Sequence, residues 1–232
     1  MTSILHSFES AGDLADSLAV RVGEALQAGI TSRGKATLAV SGGSTPKRFF
    51  RVLSGQPVDW SKVTVTLVDE RNVDADNPRS NHLLVAENLL QGEAQKAQFL
   101  PLYHAGGSAE DAARIATTKM GTHGQPFDVV ILGMGTDGHT ASFFPGGNHL
   151  KEALRRDRPR GVMTMEAEGA GETRLTFSFS SLQDARLLIL HIEGDAKKTV
   201  LAKAQADGDE TDMPIRAVLR RASSPLHVYW AP

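Results

Sequence analysis

Three short stretches of this chain hold residues able to grip an anion or move a proton. The first is Ser41-Gly42-Gly43-Ser44-Thr45-Pro46. Its glycines carry no side chain, so backbone N–H groups can come close to an anion. Ser44 and Thr45 add hydroxyl donors, and Pro46 suits the first turn of a helix whose positive dipole end would face the loop. In mechanism this is a phosphate cradle, although a ligand-free strand–helix turn has the same composition. The G-x-x-x-x-G-K-[ST] spacing of a nucleoside-triphosphate loop is absent.

The second stretch is Asp69-Glu70-Arg71, a carboxylate pair followed by a guanidinium. Such a group can orient a substrate or offset developing negative charge; it can equally be a solvated cluster with an internal ion pair. The third is Gly133-Met134-Gly135-Thr136-Asp137-Gly138-His139. It matches the G-x-G-x-x-G pattern of dinucleotide-binding loops. It lies mid-chain, however, and no acidic residue closes a following strand ~20 residues on, which argues against a nicotinamide-dependent oxidoreductase. What remains is Asp137 two residues before His139. Histidine is the side chain best suited to proton transfer near neutral pH, and the aspartate can fix its tautomer; the alternative is a structural histidine. The chain has eight histidines but no H-E-x-x-H, and a Pro/Gly-rich turn separates His139 from His149. No metal and no cofactor are therefore expected.

Each of these stretches follows a short apolar run, at residues 35–40, 63–68 and 127–132. Runs of that kind read as strands, and ligands in open α/β sheets gather beyond the carboxyl ends of strands. Further strands are expected at 174–179, 186–192 and 226–230. Helices are expected at 9–28, stopped by Gly29, then behind the first loop through Phe49, Phe50 and Leu53, and at 81–90, 108–120, 195–206 and 213–219. The alternation predicts an α/β fold, a largely parallel sheet with helices on both faces. No repeat or linker divides the chain, so one domain over residues 1–232 is expected.

Composition narrows the function. A net charge of −2 and the lack of a long Lys/Arg run argue against a nucleic-acid binder; the densest basic stretch, Arg155 to Arg160, is interrupted by proline. The chain has no cysteine, which excludes disulfides and thiol nucleophiles. No basic-then-apolar leader opens the sequence, and no run reaches the ~18 apolar residues of a membrane span. A cytoplasmic protein acting on a small molecule, as a monomer or small homo-oligomer, is expected.

Taken together, the segments resemble the 6-phosphogluconolactonases of the glucosamine-6-phosphate isomerase/6-phosphogluconolactonase family. The resemblance rests on Leu38 to Pro46, Asp69-Glu70-Arg71 with Ser80-Asn81, and Gly133 to Ser142. It continues in Arg174-Leu175-Thr176, Gly194 to Lys197 and Pro214-Ile215-Arg216. It implies a Rossmann-like three-layer αβα sandwich and hydrolysis of 6-phospho-D-glucono-1,5-lactone to 6-phosphogluconate in the oxidative pentose phosphate pathway. By position, Ser41, Gly42, Gly43, Ser44 and Thr45 would hold the phosphate, with Lys197 adding positive charge. Arg71 would lie at the phosphate or lactone end, Asp69 and Arg174 would meet the substrate, and His139, beside Asp137, would be the general base. Thr136 stands where the family often has glutamate, Phe143 where leucine is common, and a proline often seen after Asp-Glu-Arg is missing from Val73 to Asp76. Deaminases of the same fold carry a glutamate five residues after the site histidine, where this chain has Phe144, and usually tyrosine at the position of Arg71. A non-catalytic sugar-phosphate sensor would need a helix-turn-helix, and only one helix is expected before the first strand.

Overall fold

A computed structural model describes residues 3–121, 123 and 126–232 of the chain. Met1 and Thr2, which open the stretch read for a leader, lie outside the described residues. Seven strands form one parallel sheet: β1 (Ser3–Ser7), β2 (Ala36–Val40), β3 (Val63–Leu67), β5 (Gln98–Leu100), β6 (Val129–Leu132), β9 (Leu187–Glu193) and β10 (Leu226–Ala231). Their spatial order is β1-β10-β9-β6-β2-β3-β5. Every residue of β2 and β3 is buried, as expected of central parallel strands covered by helices on both faces. This is the expected α/β sandwich.

Register explains why the three polar stretches meet. Val40 of β2 lies opposite both Leu67 of β3 and Ile131 of β6. The three strands therefore finish side by side, and the chain leaving each one emerges at the same edge.

Helix α1 (Ala11–Arg33) begins at Ser10, whose hydroxyl accepts the Asp13 N–H at 3.1 Å. It does not stop at Gly29. It runs on to Arg33 and ends at Gly34, whose left-handed φ of 78° closes the helix. Gly29 is instead a packing glycine: a Cβ there would lie 3.1 Å from the Ala36 Cβ and 3.2 Å from the Asp128 Cγ. The other helices are α2 (Lys47–Ser54), α3 (Asn81–Asn88), α4 (Ala109–Gly121), α5 (Leu150–Ala153), α6 (Phe179–Leu182), α7 (Asp195–Gln205) and α8 (Ile215–Arg221). Among the described residues no helix is long and apolar enough to cross a membrane.

A second sheet, not expected from the sequence, packs beside the first. It is antiparallel, in the order β4-β8-β7, from β4 (Asp69–Arg71), β7 (Val162–Met165) and β8 (Arg174–Phe177). Asp69-Glu70-Arg71 is thus a strand and not a loop. Strands β1, β5 and β7 also escaped the sequence reading.

At the opposite end of the main sheet the buried Asp128 holds β2, β6 and α1 together. It accepts the Thr37 N–H at 2.8 Å and the Thr37 hydroxyl at 3.2 Å, pairs with Arg33, and lies 3.4 Å from Arg186. Asp128→Ala would strand the buried Thr37 donors, while the part-exposed Arg33 and Arg186 can turn to solvent. The substitution is expected to cost about 3 kcal/mol in urea denaturation while leaving turnover by the folded fraction unchanged.

Candidate active site

The first loop leaves β2 with its ends already fixed. The Ser41 N–H donates to the Ile131 carbonyl at 3.0 Å, and the Ser41 hydroxyl oxygen accepts the Gly133 N–H at 3.0 Å. The first and third stretches are therefore bonded to each other. Gly43 has φ 94°, a conformation that favours glycine, and Pro46, at φ −77° and ψ −6°, already follows the helical path into α2. The first turn of α2 thus opens towards Ser44 and Thr45.

The second stretch divides its work by strand alternation. Glu70 turns inward. It accepts N–H bonds from Arg71 at 2.7 Å, Asn81 at 2.8 Å and His82 at 2.8 Å, and the Ser80 hydroxyl at 3.1 Å. It is a buried anchor for the start of α3, and burial, opposed by these donors, raises its carboxyl above the usual range. Asp69 and Arg71 turn the other way. Asp69 accepts the Ser142 hydroxyl at 2.6 Å, and its backbone carbonyl accepts from the Asn81 amide at 2.9 Å. Arg71 donates to the Arg79 carbonyl, while its buried Nε has no partner. An unpaired buried guanidinium N–H is costly unless a ligand completes it.

Across the antiparallel pairing Arg71 faces Arg174. Arg174 is buried, donates from Nε and Nη2 to the Ala170 carbonyl at 3.2 and 2.7 Å, and lies 5.4 Å from the centre of the Phe144 ring. Burial lowers its pKa, and the charge of Asp69 works against that shift. Two arginines facing each other on neighbouring strands, both lining the cavity, make a wall suited to an anion.

The third stretch turns back through Gly138, φ 81°, so that Asp137 and His139 meet. His139 Nδ1 lies 2.6 Å from Asp137 Oδ1, and the same oxygen accepts the His139 backbone N–H at 3.1 Å. A carboxylate acceptor places the proton on Nδ1 and leaves Nε2 as the base. Burial works to raise the Asp137 carboxyl, but the bonds from His139 outweigh it and hold the pKa below its ordinary value. The Phe144 ring stacks obliquely on the imidazole, centres 4.4 Å apart. Lys197, on the first turn of α7, donates to the Met134 carbonyl at 2.7 Å; burial lowers its pKa and the Asp137 charge opposes the shift.

These groups surround one cavity of about 340 Å³. Ser41, Gly42, Gly43, Ser44, Thr45, Asp69, Arg71, His139, Arg174 and Lys197 all line it. Asp137 does not; it stands behind His139. Asn81, Phe144 and His191 also line it and were not among the expected site residues. Asn81 carried a hint in the sequence through the Ser80-Asn81 segment of the family resemblance, and Phe144 as the position five residues after His139; His191 carried none. Among the described residues no cluster of three or more His, Asp or Glu side chains could hold a metal ion.

Fold and cavity define an α/β protein in which a glycine–hydroxyl loop and cationic side chains share one pocket with His139, backed by Asp137. The chain belongs to the family described as glucosamine-6-phosphate isomerases/6-phosphogluconolactonase, which matches residues 9–230. It is similar to a 6-phosphogluconolactonase of Rhizobium meliloti (strain 1021), with 65% identity over 100% of both chains. A 6-phosphogluconolactonase of Mesorhizobium japonicum is 49% identical over 98% of this chain and 94% of that one. Among solved structures, a 6-phosphogluconolactonase from Shewanella baltica superposes with a TM-score of 0.95 at 40% identity, covering 100% of this chain and 98% of the other.

Proposed function

We propose that this chain hydrolyses 6-phospho-D-glucono-1,5-lactone to 6-phosphogluconate, the lactone-opening step of the oxidative pentose phosphate pathway. The observation that carries the reading is the placement of the glycine–hydroxyl loop and the Asp137–His139 pair on neighbouring strand ends of one cavity. The 6-phosphate sits in the loop from Ser41 to Thr45, with Lys197 adding charge. Arg71, Arg174 and Asp69 hold the sugar and its polar ends. His139 Nε2 takes a proton from a water whose oxygen attacks the lactone carbonyl. The tetrahedral oxyanion collapses, the C1–O5 bond breaks, and the proton passes to O5; the new carboxylic acid ionises on release. No metal, cofactor or covalent nucleophile enters this route. The enzyme acts in the cytoplasm on a small molecule, as one domain over residues 1–232 and as a monomer or small homo-oligomer, with no nucleic-acid or membrane partner.

Phe144 separates this reading from a deaminase. It lies against the His139 ring and under Arg174, so the position that would carry an acid in a deaminase is filled by an apolar ring. The test is to generate the lactone in situ with glucose-6-phosphate dehydrogenase and follow its loss against the spontaneous rate. A clear acceleration is expected. An unchanged rate, or ammonia release from glucosamine 6-phosphate, would overturn the proposal.

A further inference from the structure

His191 ends the apolar run of β9 and forms part of the cavity wall, yet nothing in the route above uses it. It is 4% exposed. Its Nε2 lies 3.0 Å from Glu193 Oε1, and its ring meets the edge of Phe49, on the first turn of α2, with centres 5.9 Å apart. Its Nδ1 is buried and has no partner. An imidazole nitrogen shut away from water without a partner is costly, and here it is kept beside the loop that leads into α2. The Glu193 carboxylate can only accept, so the ring donates through Nε2, and Nδ1 is the position left open.

We infer that His191 is a further binding residue for the phosphoryl end of the ligand, its Nδ1 donating to a phosphoryl oxygen held by the loop from Ser41 to Thr45. This rests on the function proposed above only for the identity of the sugar, not for the anion. A phosphoryl oxygen is an acceptor, so the contact is made by the doubly protonated ring, whose charge Glu193 balances. The pair thus adds a donor to the site without adding net charge beside Lys197. Donation requires the ring to shift on its Glu193 contact so that the buried Nδ1 reaches the cavity that His191 lines.

The two ring nitrogens can be tested separately, because an asparagine amide stands near the Nδ1 position and a glutamine amide near Nε2. His191→Gln keeps the Glu193 contact and removes the Nδ1 donor. It is expected to weaken inorganic phosphate and 6-phosphogluconate in calorimetric titrations by roughly tenfold to a hundredfold, the size of a charge-assisted bond, and to raise KM with kcat within about twofold. His191→Asn should bind more nearly as the wild type does. Wild-type affinity in His191→Gln, or an equal loss in both variants, would overturn the inference and leave His191 a support for Glu193. Should either variant fail to fold, the wild-type protein decides: the ¹⁵N resonance of His191 Nδ1 must move when phosphate is added, and a fixed resonance overturns the inference. Phosphate binding needs no turnover. His191-dependent binding without lactone hydrolysis would therefore sink the proposed reaction alone, and hydrolysis with His191-independent binding would sink this inference alone.

Discussion

Replacing His139 by alanine is expected to lower kcat/KM for the lactone by roughly 10²–10⁴-fold, the usual contribution of a positioned acid–base group. The effect should fall on kcat, because on the proposed route the imidazole meets the attacking water while other groups anchor the substrate. Binding of 6-phosphogluconate should persist within a few-fold. Asp137→Asn should lose a large part of the same factor, since an amide can donate to Nδ1 and stabilise the tautomer with its proton on Nε2. The spontaneous opening of the lactone sets the floor, so the measurement is the rate above background at several enzyme concentrations. A His139→Ala protein that turns over near the wild-type rate would remove the assigned base.

The second large effect is expected at a residue with no side chain. A Cβ on Gly42 would fall inside the van der Waals radius of the Asn81 side chain. Asn81 cannot easily yield. Its amide donates to the Asp69 carbonyl, and its backbone N–H donates to the buried Glu70 carboxylate at the start of α3. Gly42→Ala must therefore push the loop into the cavity or displace the strand that carries Asp69 and Arg71. Overpacking of this kind costs about 1–3 kcal/mol in stability. The larger loss should be in phosphate affinity, roughly 10–100-fold for several misplaced charge-assisted bonds, read as Kd for inorganic phosphate and KM for the lactone. A paired Asn81→Gly change should recover part of the affinity. Unaltered KM in Gly42→Ala would show that the loop does not grip the substrate.

Much of this site could be read from residue order because its chemistry is local. Asp137 and His139 are two residues apart in a glycine-flanked turn, so their contact needs no knowledge of the rest of the chain. The loop from Ser41 to Pro46 is likewise a property of a few consecutive residues. The division within Asp69-Glu70-Arg71 was not legible. Which of the three side chains turns inward depends on pairing with β8, far away in sequence, and a three-residue polar strand carries too little periodicity to announce that pairing. Gly29 was misread for a related reason: glycine marks helix ends by its φ, but here it is retained for the close approach of β2 and Asp128. His191 was hidden in an apolar strand whose end reaches the cavity only through the β6–β9 pairing. The main parallel sheet was legible in its central members because strands buried on both faces leave continuous apolar runs; β1 and β5, at its edges, do not.

The bond between the Ser41 hydroxyl and the Gly133 N–H has a metric consequence. On the route proposed above, the two ends of the ligand are held by backbone that springs from adjacent strands and is then pinned together, so the reach from anchor to base is set by the fold. A six-membered lactone closes its ring through O5, next to the phosphorylated carbon. The five-membered isomer closes through O4 and leaves C5 outside the ring, which changes the distance from phosphorus to carbonyl. With a rigid gauge on the enzyme side, an error of about 1 Å is enough to cost about 10²-fold in rate. The chain would then measure its substrate by length, telling two lactones of identical composition apart before the ring oxygen receives its proton.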